Sequence, residues 1–489
     1  MQELLIGMDG VKAETFARGW TPFIKSLIDK GHRLELKEDL VSRGWSEIML
    51  GQHAVSTGAI YEGPLADGTL TWTDKFKLGD VPGLGETTKS IWQVLNERGY
   101  RVGVMNVPTT FPAPEVDGFF VSGGGGGGPV SQDATAEQCH PKGLESWLKE
   151  AGYIVDERLP SLLDEQGLYE PKPFFDRLDL MNQKRTETFI QLARDHEIDF
   201  GFVVYKSSTV TTETLLLSEL EKKEVGGYEV NEAFISAAEA FYRKLDRHIQ
   251  SLVESFPEAK VVLVSDHSMA TRRYAVNANA FLVESGFQVG SSVKQGLFQA
   301  IKSFKHLLPS SLKKRLKGNP RIKSAYQSMT PFDARTSRAF SLSFSNGAHG
   351  IYVNDRARFG GPVAPDEIDE LVDQIVRRFN DHPESRKYGF VAYPKPSSSN
   401  LAAARKFPDV VLDLPDGFQT SSLFPEFVKE TRLPRGQFDL RDMKKDPRTV
   451  GKAHEPLAVC VNESWKLDGC DREDLTVVYH HLLQEFDQR

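Results

Sequence analysis

The sequence predicts an α/β protein in which helices cover both faces of a central, mostly parallel β-sheet. Apolar runs of the length and composition typical of buried strands occur at 4–8, 199–205 and 261–264. Between such runs lie stretches whose apolar residues have helical spacing, of which 231–255 is the clearest. Strands that alternate with helices along a chain typically form a mostly parallel sheet with helices on both faces.

The individual elements follow in order from local signals. Thr21 and Pro22 provide a cap and a first-turn proline for a helix that ends at Gly31. A second amphipathic helix is predicted at 88–99 and another at 366–379. Further strands are predicted at 32–37, 101–106, 116–122, 339–344, 350–354, 408–413 and 457–461.

Composition limits the classes of function. With 489 residues, 39% hydrophobic and 26% charged, the chain is long enough for one large α/β domain or two ordinary ones. Its net charge of −8 argues against a general nucleic-acid binder. Three widely spaced cysteines indicate neither a disulfide framework nor a thiolate metal site. Because no signal peptide or 18-residue apolar run is recognisable, we expect a cytoplasmic protein without a transmembrane segment.

Acidic residues follow two of the predicted strands at the point where each strand ends. Asp9 comes directly after the strand at 4–8, and Asp266 and His267 follow the strand at 261–264. Chemistry in parallel sheets lies at the carboxyl ends of the strands. Carboxylates beside an imidazole are ligands for Zn²⁺ or Mn²⁺. For Asp266 and His267 alone a strand end capped by Asp is the better interpretation; the second strand end, at Asp9, favours a metal site.

Ser42 is the candidate nucleophile. It stands just ahead of a segment with helical spacing that ends at Gly51. A hydroxyl at a helix N-terminus faces unpaired N–H groups and the positive end of the helix dipole, which favour an alkoxide and a bound phosphate. The residue types support equally well a Ser42 that only caps the helix.

Two segments of unusual composition have alternative interpretations. The six glycines 123–128 predict a mobile loop, because no following helix carries the Lys-Ser/Thr pair of a phosphate-binding loop. The segment 285–330 is rich in Lys and Arg and contains no acidic residue. Within it, 293–323 has the spacing of a basic amphipathic helix, which could contact anionic lipid or cover a phosphate-binding cleft. A cap helix with a solvated basic face is favoured over both.

These residues together resemble the alkaline phosphatase superfamily, specifically its type I phosphodiesterase / nucleotide pyrophosphatase branch. The order of the matching blocks and their placement at strand ends carry the resemblance. The blocks are 5–10, 21–27, 44–51, 91–95 through 106–108, 265–269, 276–282, 350–354 and 453–456. The resemblance implies an alkaline-phosphatase-like sandwich whose specificity is set by cap insertions.

The family has two metal ions, usually Zn²⁺, that lie on either side of a Thr or Ser nucleophile and the phosphoryl oxygens. Carried over to this sequence, the resemblance implies that Asp9, Asp266 and His267 hold one ion and that Ser42 is the bridging nucleophile. His454 is implied as a ligand of the other ion. We therefore expect one or two divalent ions, Zn²⁺ first and Mn²⁺ as the alternative.

The sequence departs from the family pattern at the second ion. The family has Asp-x-x-x-His after the strand that ends here at Tyr205, and the matching positions are Thr209 and Glu213. Glu213 could ligate an ion, whereas Thr209 is a poor substitute for Asp. Ser268 stands where Gly usually follows Asp-His, a change we expect to be tolerated.

The position of the candidate nucleophile differs from the family pattern by one residue. Counting back from Gly51, the family hydroxyl falls on Val41, so Ser42 requires a shift of one position. Ser46 is the less favoured alternative.

We therefore expect a metal-dependent phosphodiesterase/nucleotide pyrophosphatase-type hydrolase, or a phosphoryl transferase, acting on a small phosphate ester. Arg43 and Lys206 are expected to bind the substrate near the leaving group. The alternative is a protein that keeps the fold and binds an anionic ligand or partner without turnover, because its second metal site is incomplete. The core is expected at 1–284 and 331–489, with a basic helical cap at 285–330 and a second cap at 355–405.

Overall fold

In the residues that it describes, the computed structural model has five β-sheets, the largest with eight strands. It describes residues 1–61, 63–68, 70, 72–73, 76–124, 133–157, 168–290, 332–342, 349–421, 424–430, 440, 450–467 and 473–487. The strands are β1 Glu3–Met8, β2 Gly31–Arg33, β3 Gly63–Pro64, β4 Trp72–Thr73, β5 Val102–Met105, β6 Gly118–Val121, β7 Cys139–His140, β8 Phe200–Tyr205, β9 Lys260–Val264, β10 Ser268–Thr271, β11 Tyr274–Val276, β12 Ala339–Phe340, β13 Gly350–Val353, β14 Val391–Pro394, β15 Val410–Asp413, β16 Phe418–Thr420, β17 Val428–Glu430, β18 Val450–Ala453 and β19 Ala458–Val461.

Helices connect most of these strands. The α-helices are α1 Pro22–Lys30, α2 Gly44–Leu50, α3 Ala54–Thr57, α4 Ile91–Glu97, α5 Leu144–Glu150, α6 Pro171–Asp195, α7 Lys206–Val225, α8 Glu232–Glu254, α9 Ala278–Glu284, α10 Arg356–Phe359, α11 Ile368–Asp381, α12 Pro383–Tyr388, α13 Leu401–Ala404 and α14 Thr476–Asp487. Short 3₁₀ turns lie at Ala13–Arg18, Leu78–Asp80, Ala136–Gln138 and Pro365–Glu367. None of the helices in the described ranges is long and apolar enough to cross a membrane.

The eight-stranded sheet, which we call the central sheet, has the strand order β2-β19-β9-β1-β8-β5-β6-β7. Its five inner strands, β9, β1, β8, β5 and β6, are parallel, and only the strands toward the two edges are joined by antiparallel pairing. Gly7 of β1 lies opposite both Val204 of β8 and Val264 of β9. The carboxyl ends of these three strands are therefore level with one another.

Alternate side chains of each inner strand pack on opposite faces of the central sheet, as the two-residue period of a strand requires. Leu4 and Ile6 of β1 belong to a buried cluster with α1, α6 and α8, whereas Leu5 packs with α2, α4 and α14 on the other face. The predicted fold class, a mostly parallel sheet covered by helices on both faces, is confirmed.

Helix capping links two covering helices on one face. Helix α1 begins at Pro22 and ends before Gly31, as predicted. Its first-turn amides, those of Phe23 and Ile24, donate to the two carboxylate oxygens of Asp246 at 3.0 and 2.8 Å. Asp246 lies within α8, so one buried carboxylate caps α1 and fixes α8 beside it.

A second, smaller sheet has the antiparallel order β12-β13-β15-β14 and packs against α9 and α11 in its own hydrophobic cluster. That cluster joins residues of the predicted second cap, 355–405, with residues of 276–287 and 410–427. The division into core and caps stays a prediction. Of the basic cap, 291–330 lies outside the described residues, as do 293–323 and residues 125–128 of the glycine run.

Helix α2 approaches the end of β9 so closely that there is no room for a side chain at Gly44. A Cβ atom at this position would lie 2.6 Å from the carbonyl oxygen of Asp266 and 3.0 Å from its Cα atom. Because backbone cannot move aside as a side chain can, we expect Gly44→Ala to lower the free energy of unfolding by about 1–3 kcal/mol. Chemical denaturation measures this change.

Gly79→Ala is the matched control, because nothing lies within 4 Å of a Cβ atom there. We expect this exposed position to tolerate Ala without loss of stability. Equal stability of the two variants would contradict the close packing of α2 on Asp266.

Candidate active site

Three predicted ligands converge at the carboxyl edge of the central sheet. Asp9 follows β1, and Asp266 and His267 follow the neighbouring strand β9. All three side chains are buried, and their ligand atoms lie within 4.8 Å of one another. Nε2 of His267 is 3.6 Å from Oδ1 of Asp9 and 3.6 Å from Oδ2 of Asp266. We call these three residues the acid–imidazole cluster.

The tautomer of His267 suits a metal ligand. Its Nδ1 atom lies 2.8 Å from the carbonyl oxygen of Ser268, which can only accept a hydrogen bond. Nδ1 therefore carries the hydrogen of the neutral ring, and the lone pair of Nε2 faces the two carboxylates. A backbone acceptor on the second ring nitrogen is the usual arrangement for a metal-ligating histidine.

The cluster has the donor set and the unsatisfied atom that a divalent cation requires. Oδ1 of Asp266 is buried and has no hydrogen-bond partner among the described residues. Such an orphaned carboxylate oxygen is costly, because none of the described residues replaces the water it has lost. Two carboxylates and one imidazole fit Zn²⁺ or Mn²⁺.

The ionisation of the cluster is strongly perturbed. Burial, followed by the charge of Asp266, raises the pKa of Asp9 to about 6. Burial also raises the pKa of Asp266. Burial, followed by the charge of Lys452, lowers the pKa of His267 to about 3. Burial therefore disfavours the charged form of each of the three side chains. A bound cation would favour the ionised form of both carboxyl groups.

Two aromatic side chains orient the carboxylates. The indole Nε1 of Trp45, in α2, donates to Oδ2 of Asp9 at 3.3 Å. The hydroxyl of Tyr61 donates to Oδ2 of Asp266 at 3.3 Å. One oxygen of each carboxylate is thereby fixed.

The two predicted substrate-binding cations lie around the cluster. Arg43 donates from Nη2 to the carbonyl oxygen of Tyr61 at 3.1 Å, and its guanidinium carbon lies 4.9 Å from the Tyr61 ring centroid. Lys206 donates from Nζ to the carbonyl oxygen of Gly124 at 3.0 Å and lies 3.8 Å from Oδ2 of Asp156. The positive charge of Lys206 lowers the pKa of Asp9, although burial raises it more.

Lys452 is a third cation at the cluster, and the sequence analysis missed it. It lies opposite Met269 where β18 pairs with β10. Its Nζ atom is 3.3 Å from the ring centroid of Tyr61. Burial lowers the pKa of Lys452 to about 8, against the charges of Asp266 and Asp9, which raise it. The signal in the sequence was a lysine two residues before His454.

Ser42 lies two residues before the start of α2 but does not cap this helix. The N-cap residue of α2 is Arg43, and this helix has only seven residues. The Ser42 hydroxyl donates to Oδ2 of Asp39 at 3.1 Å and lies 3.3 Å from Nε2 of His53. Asp39 also accepts the Ser42 backbone N–H through Oδ1 at 2.7 Å. The interpretation of Ser42 as a simple helix cap is therefore wrong.

His53 is not placed to act as a base toward Ser42. Nδ1 of His53 accepts the backbone N–H of Val55 at 3.2 Å, so the hydrogen of the neutral ring is on Nε2. The carboxylates of Asp39 and Glu47 raise the pKa of His53 to about 9 despite its burial. Nε2 thus carries a hydrogen whether the ring is charged or neutral, and it donates toward Asp39 at 3.1 Å.

The alternative nucleophile, Ser46, is fully buried within α2. Its hydroxyl has no hydrogen-bond partner among the described residues. Asp39 and His53 were not recognised from the sequence. The available signal was an acidic residue in a polar segment just ahead of Ser42, because Asp commonly forms an Asx turn with the backbone two residues on, here the N–H of Val41 at 2.8 Å.

The structure does not bring Glu213 to the acid–imidazole cluster. Both of its carboxylate oxygens pair with Arg18, at 2.7 Å each, and one of them also accepts the hydroxyl of Tyr242. The hydroxyl of Thr209 donates to the carbonyl oxygens of Asp9 and Tyr205, both at 2.7 Å. The prediction of Glu213 as a metal ligand is therefore corrected: this buried carboxylate is the counter-ion of the partly buried Arg18.

His454 is also held elsewhere. Its Nδ1 atom lies 2.5 Å from the carbonyl oxygen of Glu38, and its Nε2 atom lies 2.6 Å from that of Leu414. Both ring nitrogens face backbone acceptors, so neither lone pair is open to a metal ion. In this conformation His454 belongs to the wall of a cavity of about 690 Å³ with Asp413 and Asp416 rather than to the cluster.

The fold and the cluster define an α/β protein with a candidate divalent-metal site at the carboxyl edge of a mostly parallel sheet. The family model for type I phosphodiesterase / nucleotide pyrophosphatase matches residues 4–422, and the chain belongs to this family. The resemblance inferred from the sequence is confirmed. No curated protein sequence matches the chain.

Several solved structures are similar over almost the whole chain. Phosphonoacetate hydrolase from Sinorhizobium meliloti 1021, in complex with phosphonoformate, is 12% identical, with 99% of this chain and 96% of that chain covered and a TM-score of 0.49. Murine ectonucleotide pyrophosphatase / phosphodiesterase 5, in an inactive form with AMP, is 11% identical, with coverage of 100% and 95% and a TM-score of 0.46. The alkaline phosphatase PafA is 11% identical, with coverage of 95% and 93% and a TM-score of 0.44.

Substitution of Glu213 can show whether this carboxylate serves Arg18 or a metal ion. We expect Glu213→Gln to lower the free energy of unfolding by about 3 kcal/mol, because the partly buried Arg18 would lose its counter-ion. Bound metal per folded chain should not change. Denaturation and metal analysis of the same sample measure the two quantities, and a loss of metal without a loss of stability would restore Glu213 as a ligand.

The pKa of Asp9 predicts how metal binding depends on pH. Its carboxyl, with a pKa of about 6 in the metal-free protein, must lose its proton before it can ligate a cation. Metal affinity should therefore fall as pH drops, by about tenfold between pH 7 and pH 5 from this proton alone. The low pKa of His267, about 3, adds no further loss in this window.

Calorimetric titration with Zn²⁺ at the two pH values measures this change. The Asp9→Asn variant, which lacks the proton, is the control and should bind weakly with a smaller dependence on pH. Equal affinity of the wild type at pH 5 and pH 7 would contradict the prediction.

Proposed function

We propose that the protein is a metal-dependent phosphodiesterase/nucleotide pyrophosphatase-type hydrolase that acts on a small phosphate ester through Ser42. Membership in the family supports the reaction class. The observation that carries the metal dependence is the buried acid–imidazole cluster, with its orphaned Asp266 oxygen and the free lone pair of His267. Cytoplasmic localisation stays a prediction.

Asp9, Asp266 and His267 would hold one divalent ion, with Zn²⁺ proposed first and Mn²⁺ as the alternative. When bound, such an ion polarises phosphoryl oxygens and favours the ionised form of a nearby hydroxyl. Trp45 and Tyr61 keep the carboxylates in place through their hydrogen bonds. The carboxylate of Glu213 pairs with Arg18, and both ring nitrogens of His454 face backbone carbonyls. A second ion is therefore not part of this proposal.

Ser42 supplies the nucleophilic oxygen. Its Oγ atom loses its proton to solvent and forms a bond to phosphorus while the bond from phosphorus to the leaving oxygen breaks, and the leaving group departs as its oxyanion. Water later hydrolyses the phosphorylated Ser42, which releases the phosphoryl product and restores the hydroxyl. Oδ2 of Asp39 accepts the hydroxyl hydrogen in the resting state, and the charge and hydrogen bond of His53 lower the pKa of Asp39, although its burial opposes this. Arg43 and Lys206 contribute positive charge toward the phosphoryl group.

A second candidate function is binding of an anionic ligand without turnover. The incomplete second metal site, with Thr209 in place of an acid and Glu213 paired with Arg18, is the observation that favours it. In that case the three cations around the cluster would hold the anion, and Ser42 would not react.

The nucleophile is tested on bis(p-nitrophenyl) phosphate. We expect Ser42→Ala to lower kcat by on the order of 10³-fold or more, because the attacking oxygen is lost. Metal per chain should remain near the wild-type value, since Asp9, Asp266 and His267 are intact. Release of p-nitrophenolate and metal analysis measure the two effects.

Ser46→Ala is the matched control, a buried serine four residues further along the chain, and should retain activity. Loss of activity in Ser46→Ala alone would move the nucleophile to Ser46. Activity that persists in both Ser42→Ala and Asp266→Asn belongs to a contaminant. A wild type that binds Zn²⁺ and phosphate without hydrolysis would favour the second candidate function.

A further inference from the structure

The position of Lys452 is fixed by the same backbone that carries two of the metal-ligand candidates. Strand β10 begins at Ser268, directly after His267, and pairs antiparallel with β18. In this pairing Met269 lies opposite Lys452. The lysine is therefore placed beside the cluster by backbone hydrogen bonds rather than by a flexible loop.

The ammonium group of Lys452 has no hydrogen-bond or ion-pair partner in the described part of the chain. No carboxylate there lies within the 4.0 Å of an ion pair, and its three N–H groups donate no hydrogen bond. Its contact is the ring of Tyr61, with Nζ 3.3 Å from the centroid. Arg43 and Lys206, by contrast, donate to backbone carbonyls.

The charges around Lys452 indicate that its ammonium group lacks an anion. Asp266 and Asp9 attract it, and Arg43 and Lys206 repel it. A divalent ion bound by the two aspartates would neutralise their charge and leave the lysine without an anion. A half-buried ammonium without counter-ion or hydrogen bond is unfavourable, so the site is complete only when an anion enters it. Cation–π contact with Tyr61 compensates in part.

We propose that Lys452 is an anion-binding catalytic residue, whose ammonium group contacts the phosphoryl oxygens of the substrate and supplies a second positive centre beside one metal ion. This inference rests on the proposed function for the identity of the anion. Lys452 forms no covalent bond and transfers no proton in this role. It stabilises the negative charge that grows on the phosphoryl oxygens as the ester bond breaks.

The test uses inorganic phosphate as the probe and the zinc-loaded full chain as the protein. We expect Lys452→Met to keep its metal and to bind phosphate at least about tenfold more weakly than the wild type. Its kcat/KM on bis(p-nitrophenyl) phosphate should fall by about 10²-fold. Lys452→Arg, which keeps the charge, should recover part of both. Calorimetry, metal analysis and steady-state kinetics measure these quantities.

Lys429→Met is the matched control. Lys429 also lies on a short strand, β17, with Nζ 5.7 Å from the ring centroid of Phe424, but it is exposed. This variant should bind phosphate and turn over substrate like the wild type. Thermal unfolding confirms that each variant is folded, and Lys452→Gln replaces Lys452→Met if the latter does not fold.

Two results would overturn the inference. One is a metal-loaded Lys452→Met that binds phosphate within twofold of the wild type. The other is loss of metal from Lys452→Met and Lys452→Gln, which would make the lysine a support of the metal site. Failure of the proposed function is a different result: phosphate binding that depends on Lys452, in a protein that shows no Ser42-dependent hydrolysis, would leave the inference standing.

Discussion

Parallel pairing of β1 with β9 is the constraint on which the site depends. The register that places Gly7 opposite Val264 makes the two strands end at the same level, so that Asp9 and Asp266 leave the sheet side by side. Gly7 itself allows this arrangement, because a Cβ atom there would lie 2.7 Å from the Trp45 ring. The indole that the glycine admits is the one that donates to Asp9. The register of β1, the close packing of Trp45 on Gly7 and the orientation of the Asp9 carboxylate therefore depend on one another.

Burial raises the pKa of both Asp9 and Asp266, and the charge of Asp266 raises that of Asp9 further. The protein retains this unfavourable pair although apolar side chains would pack there at no electrostatic cost. Lys452 shows the same conflict with the opposite sign, as a half-buried cation whose pKa falls to about 8. A cation on the aspartates and an anion on the lysine resolve both conflicts together, which makes a metal ion and a phosphate complementary occupants.

Strand ends could be predicted from the sequence because local patterns determine them. Asp9 and the Asp266–His267 pair each follow an apolar run, and a parallel sheet brings such ends to one edge. Glu213 could not be judged in the same way, since its partner Arg18 lies 195 positions away and no local pattern shows that pairing. Lys452 was missed for a related reason: its strand has four residues and pairs with another four-residue strand about 180 positions earlier.

The surroundings of Ser42 limit how its hydroxyl can become reactive. Both the charged ring and the neutral tautomer indicated by the Val55 contact have a hydrogen on Nε2 of His53, which leaves no lone pair there to take the proton. Asp39 accepts that hydrogen, but its lowered pKa makes it a weak base. These two residues can orient the Ser42 oxygen without making it more acidic. In the proposed function the acidity would come from positive charge at the ends of β1 and β9. Gly44, two residues after Ser42, is the point of α2 that closely approaches Asp266.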